Sequence, residues 1–68
     1  MRTGTVYTET VIHLAAEAFA REVPFQTAIV TLDGGGRITA RILGDRVLIG
    51  DRVAEVELRD SVPFFQKM

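Results

Sequence analysis

The sequence predicts an all-β fold, a small five-stranded antiparallel barrel, and two observations carry that prediction. The stretch Phe25 to Leu43 alternates apolar and polar residues at period 2 on either side of three consecutive glycines, the pattern of a β-hairpin. Around it lie segments with strand propensity, Thr3 to His13, Arg52 to Arg59 and Val62 to Phe65, divided by Gly-Asp and Asp-Ser turn signals.

In the hairpin, Ala28, Val30 and Leu32 share one face, and Ile38, Ala40 and Ile42 share one face beyond the glycines. A three-residue loop, Gly34 to Gly36, would pair Asp33 with Arg37, Leu32 with Ile38, Val30 with Ala40 and Ala28 with Ile42, with Thr31 opposite Thr39 on the outer side. A slip of one residue would turn a whole strand over, so the pattern excludes it, and glycine supplies the positive φ that short hairpin loops require.

The first strand, Thr3 to His13, changes apolar phase: Val6 and Ile12 lie on one phase, Tyr7 and Val11 on the other. A long strand bent by a bulge near Thr8 to Thr10 accounts for this. Leu14 to Glu22 switches to helix-forming residues, with Glu17 and Arg21 at i,i+4 and Pro24 as a stop. It reads as a short helix or compact loop whose Phe19 plugs one end of the barrel. After the hairpin comes a Gly44-Asp45 turn, then Val47-Leu48-Ile49 as a short buried run ended by Gly50-Asp51. In the fourth strand Ala54, Val56 and Leu58 are expected to face the core, and Val53, Glu55, Glu57 and Arg59 to face water. Val62 to Phe65 reads as a short edge strand, because Pro63 cannot donate to a ladder. The sum is one domain, residues 1–68, forming a partly open barrel of OB type with a short helix or loop between strands 1 and 2. The usual OB-fold helix falls between strands 3 and 4, where this chain has only Asp45 to Gly50.

Composition narrows the function. A globule of 68 residues buries only about 60% of its unfolded surface, so a partner or a second copy would add stability. Without cysteine there are no disulfides or thiolate metal sites, and His13, the one histidine, has no histidine partner for zinc. No apolar run approaches the length of a membrane span, and no signal-peptide core follows Met1, so the chain reads as cytoplasmic with no membrane partner. A net charge of −1 lacks the electrostatic footprint of a dedicated nucleic-acid binder. Seven arginines stand against one lysine; coding bias is the plain explanation, and phosphate or carboxylate recognition by planar forks is the functional one.

No catalytic residues are assigned. His13, the one histidine, reads as structural rather than as a catalytic base, Glu55 and Glu57 as a solvated pair, and Gly34 to Gly36 as a turn with no helix behind it to hold a phosphate. The outer hairpin face carries Phe25, Thr27, Ile29, Thr31, Arg37, Thr39 and Arg41. Phe25 and Ile29 are candidate interface residues, and Arg37 and Arg41 candidate contacts to a phosphate or a partner, since aromatics and arginine are enriched at interfaces. The alternative use of such a face is stacking of single-stranded nucleic acid, with Phe25 and Arg41 as its best support.

The order of motifs is itself informative: Gly4-Thr5-Val6-Tyr7-Thr8, then Val11-Ile12-His13, Phe19, Val23-Pro24-Phe25, Leu32-Asp33-Gly34, Ile49-Gly50-Asp51-Arg52-Val53 and Pro63-Phe64-Phe65. Across nearly the whole chain this resembles the OB-fold half of the acyl-CoA-associated zinc-ribbon/OB-fold family, a thiolase- and hydratase-associated domain of unknown function. The resemblance implies a non-catalytic accessory subunit that binds acyl-CoA or scaffolds a thiolase-like or MaoC-like enoyl-CoA hydratase enzyme in lipid metabolism. On that reading Arg37 and Arg41 are the first candidates for contacts to CoA phosphates or to the partner. The family's four-cysteine zinc ribbon has no counterpart in this sequence, so its metal is not carried over and no cofactor is expected.

Overall fold

The computed structural model describes residues 1–13 and 25–68. Its strands are β1 (Thr3–Ile12), β2 (Phe25–Leu32), β3 (Arg37–Leu43), β4 (Arg52–Arg59) and β5 (Val62–Lys67). The expected helix or loop over Leu14 to Glu22, with Phe19 as a plug, lies outside the described residues. No helix among the described residues is long and apolar enough to cross a membrane.

The strands close into a barrel in the order β1-β2-β3-β5-β4. Closure is complete where a partly open barrel was expected, and the sheet is mixed: β5 pairs in parallel with β3, while the other pairs are antiparallel. The parallel pair follows from arithmetic, because five strands in a closed ring cannot alternate direction all the way round. The core is Val6, Ala28, Val30, Ala40, Ile42, Val47, Val53 and Phe65, with Leu32 and Ile38 packed against it.

The hairpin faces are as the alternation demands, but its register is not. Ile38 lies opposite Val30, Ala40 opposite Ala28 and Ile42 opposite Gln26, two residues from the expected pairing. A two-residue shift keeps every side chain on its face, so burial alone does not oppose it. The cause is Asp33, which leaves the hairpin: its N–H donates to the Thr3 carbonyl (3.0 Å), and its carboxylate accepts from both Arg52 Nη atoms (2.7 and 2.6 Å) and from Thr3 Oγ1 (2.5 Å). The loop therefore begins at Leu32, whose N–H donates to the Gly36 carbonyl, and Gly35 and Gly36 take φ of 105° and 85°. Thr31 lies opposite Arg37 and Ile29 opposite Thr39, replacing the expected Asp33 to Arg37 and Thr31 to Thr39 pairs.

Bulges bend both long strands. On β1 the register shifts between Val6 and Thr8, so the bulge sits at Tyr7, just before the expected place. On β4 it shifts between Glu55 and Glu57, and the expected faces are reversed: Val53 is fully buried, whereas Val56 and Leu58 are exposed. Beyond Ala54 the strand has left β1, and its end pairs only with β5, so apolar alternation there does not face the core. Nor is β5 an edge strand. Pro63 is accommodated because it sits opposite Leu58, between the Arg59 to Val62 pair that closes the Asp60-Ser61 turn and the Glu57 to Phe64 pair, and because pairing with β3 starts only at Phe64. Of Val47-Leu48-Ile49, only Val47 is buried.

The β1–β4 seam has three residue pairs, Thr3 to Ala54, Gly4 to Val53 and Thr5 to Arg52, and charge reinforces it. Arg2 forks Glu55 (Nε to Oε1 3.0 Å, Nη2 to Oε2 2.8 Å), and Arg52 forks Asp33 while also donating to Thr5 Oγ1 (3.0 Å). Planar guanidinium suits this bidentate grip. The Arg52 hydrogen bonds first, then Thr3, hold the Asp33 carboxyl well below the usual carboxylate range, and Arg2 lowers Glu55 in the same way.

Two predictions follow from the seam. Gly4 is buried between β2 and β4; a Cβ there would meet the Thr31 carbonyl and stand 2.6 Å from Val30 Cγ1. Gly4→Ala should lower stability by about 1–3 kcal/mol, the usual cost of overpacking, as read by chemical denaturation. Carboxylates with depressed folded-state pKa contribute stability above their unfolded pKa near 4, and that stability is lost as pH falls through the folded values. Thermal melts from pH 6 to pH 2 should therefore show Tm falling at the acid end, and the Asp33→Asn, Glu55→Gln double variant should start lower and show a shallower fall.

Candidate functional site

Strand alternation puts Phe25, Thr27, Ile29 and Thr31 of β2 and Arg37, Thr39 and Arg41 of β3 on the barrel's outer face, with Phe25 and Ile29 half-buried. The structure separates the two candidate arginines into different clusters. Four residues apart on one strand, they are offset by roughly 13 Å. The Arg37 guanidinium lies 3.9 Å from the centre of the Tyr7 ring, and its Nε donates to Thr31 Oγ1 (3.3 Å). Arg41 lies 4.0 Å from the Phe25 ring and 5.5 Å from the Phe64 ring, which the parallel β3–β5 register brings beside it. Arg59 covers Phe64 from the β4 side at 4.8 Å and is paired with Glu57 at 2.7 Å.

The outer face thus carries the half-exposed Tyr7 besides Phe25, while Phe64 is buried beneath Arg41 and Arg59. Tyr7 could not be placed before the bulge was located, and Phe64 needed the parallel pairing. Each ring has a guanidinium on it, an arrangement favourable in itself. That covering opposes the nucleic-acid alternative, since a base would have to displace an arginine to stack.

Where the outer face meets the barrel mouth, a cavity of about 510 Å³ has Val11, Phe25, Ile42 and Leu43 as its apolar lining and His13, Arg41 and Arg46 as its polar lining. Its size and mixed lining fall in the range of small-molecule sites. Arg46, which sequence reasoning did not single out, is exposed and sits 3.6 Å from Glu9. Gln26, also missed, forms part of the wall and is buried. Its amide holds the backbone of Val47: Nε2 donates to the Val47 carbonyl (2.7 Å), Oε1 accepts from the Val47 N–H (2.8 Å), and Nε2 also donates to Glu9 Oε1 (2.8 Å). The signal for Gln26 was present, as a polar residue on the inward phase of Ala28 and Val30.

Glu55 and Glu57 do not form a carboxylate pair, because the bulge at Val56 intervenes and each has its own arginine, Arg2 and Arg59. His13 is exposed at the end of β1. Among the described residues, no three His, Asp or Glu side chains gather as metal ligands would.

With this geometry in hand, comparison with known proteins is specific. Residues 1–59 match the family described as the ChsH2 C-terminal OB-fold domain. A DUF35 domain-containing scaffold protein of Methanocaldococcus jannaschii is 39% identical over 56 residues, covering 78% of this chain and 40% of that protein. A chain of the solved Ltp2-ChsH2(DUF35) aldolase superposes with a TM-score of 0.75 at 30% identity, covering 97% of this chain and 57% of that one. The chain therefore spans about half the length of the relatives it matches.

Proposed function

Because the chain belongs to the ChsH2 C-terminal OB-fold domain family, we propose that it is a non-catalytic accessory module that docks on an enzyme of acyl-CoA chemistry. The observation that carries this reading is a pair of arginine-covered aromatics on the outer side of the barrel, Arg41 over the half-buried Phe25 and Arg37 over the half-exposed Tyr7. Arginine and aromatics are the residues in which protein interfaces are enriched, and rings held in place lose little entropy on docking. The solved relative is an aldolase complex and the archaeal relative is a scaffold protein, which supports an enzyme as partner. The partner would be a thiolase-like, aldolase or MaoC-like hydratase enzyme.

The ligand assigned to the mouth is an acyl-CoA. Arg41 and Arg46 would meet phosphate, and Val11, Phe25, Ile42 and Leu43 would cover the pantetheine or acyl part. Arg37, on the far side of the face, is then a partner contact, with Phe25 and Ile29 at the rim between the two uses. The role is to hold and position, with the chemistry left to the partner.

The test has two arms. Tagged protein should capture a thiolase-like, aldolase or hydratase enzyme from its source cells, and Arg37→Ala should weaken that capture. In melts with CoA at ten times its Kd, binding would add about 1.4 kcal/mol, which raises Tm by several degrees in a domain this small. Arg41→Ala and Arg46→Ala should each abolish that rise. Failure of capture and of the CoA-dependent shift together would contradict the reading.

A further inference from the structure

Leu48 and Ile49 are 62% and 67% exposed, although their neighbour Val47 is wholly buried. Single exposed aliphatics need no explanation, but two in succession on a fixed loop do. Hydrogen bonds at Val47, Leu48, Gly50 and Asp51 hold this loop in place. The Gln26 amide holds both backbone groups of Val47. The Leu48 N–H donates to Asp51 Oδ2 (2.8 Å), the Asp51 N–H returns to the Leu48 carbonyl (3.0 Å), and Gly50 turns the chain at a φ of 95°. The Gly50 N–H donates to the Val6 carbonyl and the Val6 N–H to the Asp51 carbonyl, both at 2.9 Å, tying the loop to β1. With Val47 anchored inward, the loop cannot fold the next two side chains into the core.

The surroundings select the occupant. The cations around the loop are matched: Arg46 with Glu9, Lys67 with Asp51 and Arg52 with Asp33. An aliphatic knob in a neutral rim fits an apolar socket on a protein; nucleic acid or an anionic membrane, each a dense array of phosphates, would call for a surplus of cations around it. The scaffold and aldolase relatives favour an enzyme as the protein that covers the knob, and a second copy is the competing occupant that sedimentation distinguishes. Tyr7, half-exposed with Arg37 on its ring, directly follows the Val6 that holds the loop, so the knob continues along β1 into the outer face.

We propose that Leu48 and Ile49 are a preorganised anchor that inserts into an apolar socket of the partner enzyme. The proposal rests on the accessory reading above and gives that partner a specific point of attachment. Because the loop is rigid before docking, little ordering cost opposes insertion, and burying each aliphatic side chain in a socket contributes about 1.5–3 kcal/mol.

The experiment uses the purified enzyme captured by the wild-type chain and measures Kd by calorimetry. Leu48→Asp with Ile49→Asp should weaken binding at least about 100-fold, and Leu48→Ala with Ile49→Ala at least about tenfold, the loss expected when the apolar burial of two aliphatic side chains is removed. Circular dichroism and Tm should stay as in wild type, because both side chains are exposed; if the aspartates disturb folding, the alanine pair decides. Kd within threefold of wild type for a folded variant would overturn the anchor while leaving the accessory reading intact. If no thiolase-like, aldolase or hydratase enzyme binds the wild-type chain, both fall together. A dimer seen by sedimentation at micromolar concentration, and dissolved by the aspartate pair, would overturn the proposal by making a second copy the occupant.

Discussion

The amide of Gln26 on the backbone of Val47 is the contact on which the rest of this barrel depends. A chain leaving β3 must cross the barrel mouth to reach the free edge of β1, where β4 begins, and in the usual OB-fold a helix covers that crossing. Here a few residues do so, with Val47 in the core and both of its backbone groups needing partners away from water. Burying them unpaired would be costly. Gln26 supplies a donor and an acceptor on one planar group, as a neighbouring strand would, and its second Nε2 contact to Glu9 joins the clamp to β1. From this follow the position of the loop against β1, the start of β4 at Arg52 and the place of β5 between β3 and β4.

The arginines make a second, related framework on the outside. Every arginine among the described residues has a partner: Arg2 forks Glu55, Arg52 forks Asp33, Arg46 meets Glu9, Arg59 meets Glu57 and Phe64, Arg37 meets Tyr7 and Arg41 meets Phe25 and Phe64. Forked carboxylates and stacked rings both need a planar cation, which lysine cannot provide. The preference for arginine thus has a structural use in this chain, and two of the same residues, Arg41 and Arg46, also line the mouth. One residue type both closes the seam and furnishes the surface that a partner or an anion would meet.

What could be read in the sequence was whatever depends on period 2 alone. The faces of β2 and β3 were legible because Ala28, Val30, Ile38, Ala40 and Ile42 alternate cleanly, and the bend of β1 because its phase changes. The register was not, because a two-residue shift leaves the same faces buried and the deciding contact, Asp33 with Arg52, spans strands distant in sequence. The faces of β4 were misjudged for a similar reason: Val56 and Leu58 continue an apolar alternation past the point where the strand stops covering the core. Phe25, Ile29, Arg37 and Arg41 were placed correctly on the outer face, but that the two arginines serve different clusters emerged only with the rings of Tyr7 and Phe64 in place. Gln26 and Arg46 escaped notice because a buried amide and a loop cation acquire meaning only from what they touch.

Amide hydrogen exchange at Val47 tests the central claim most directly. A backbone N–H held by the Gln26 side chain in the barrel core should exchange only on global unfolding, as slowly as that of core residue Val30, and Gln26→Ala should release it. Rapid exchange at Val47 in the native protein, at rates typical of a surface loop, would contradict the account: the crossing would then be a mobile connection, and neither the mouth nor the display of Leu48 and Ile49 would be fixed in advance.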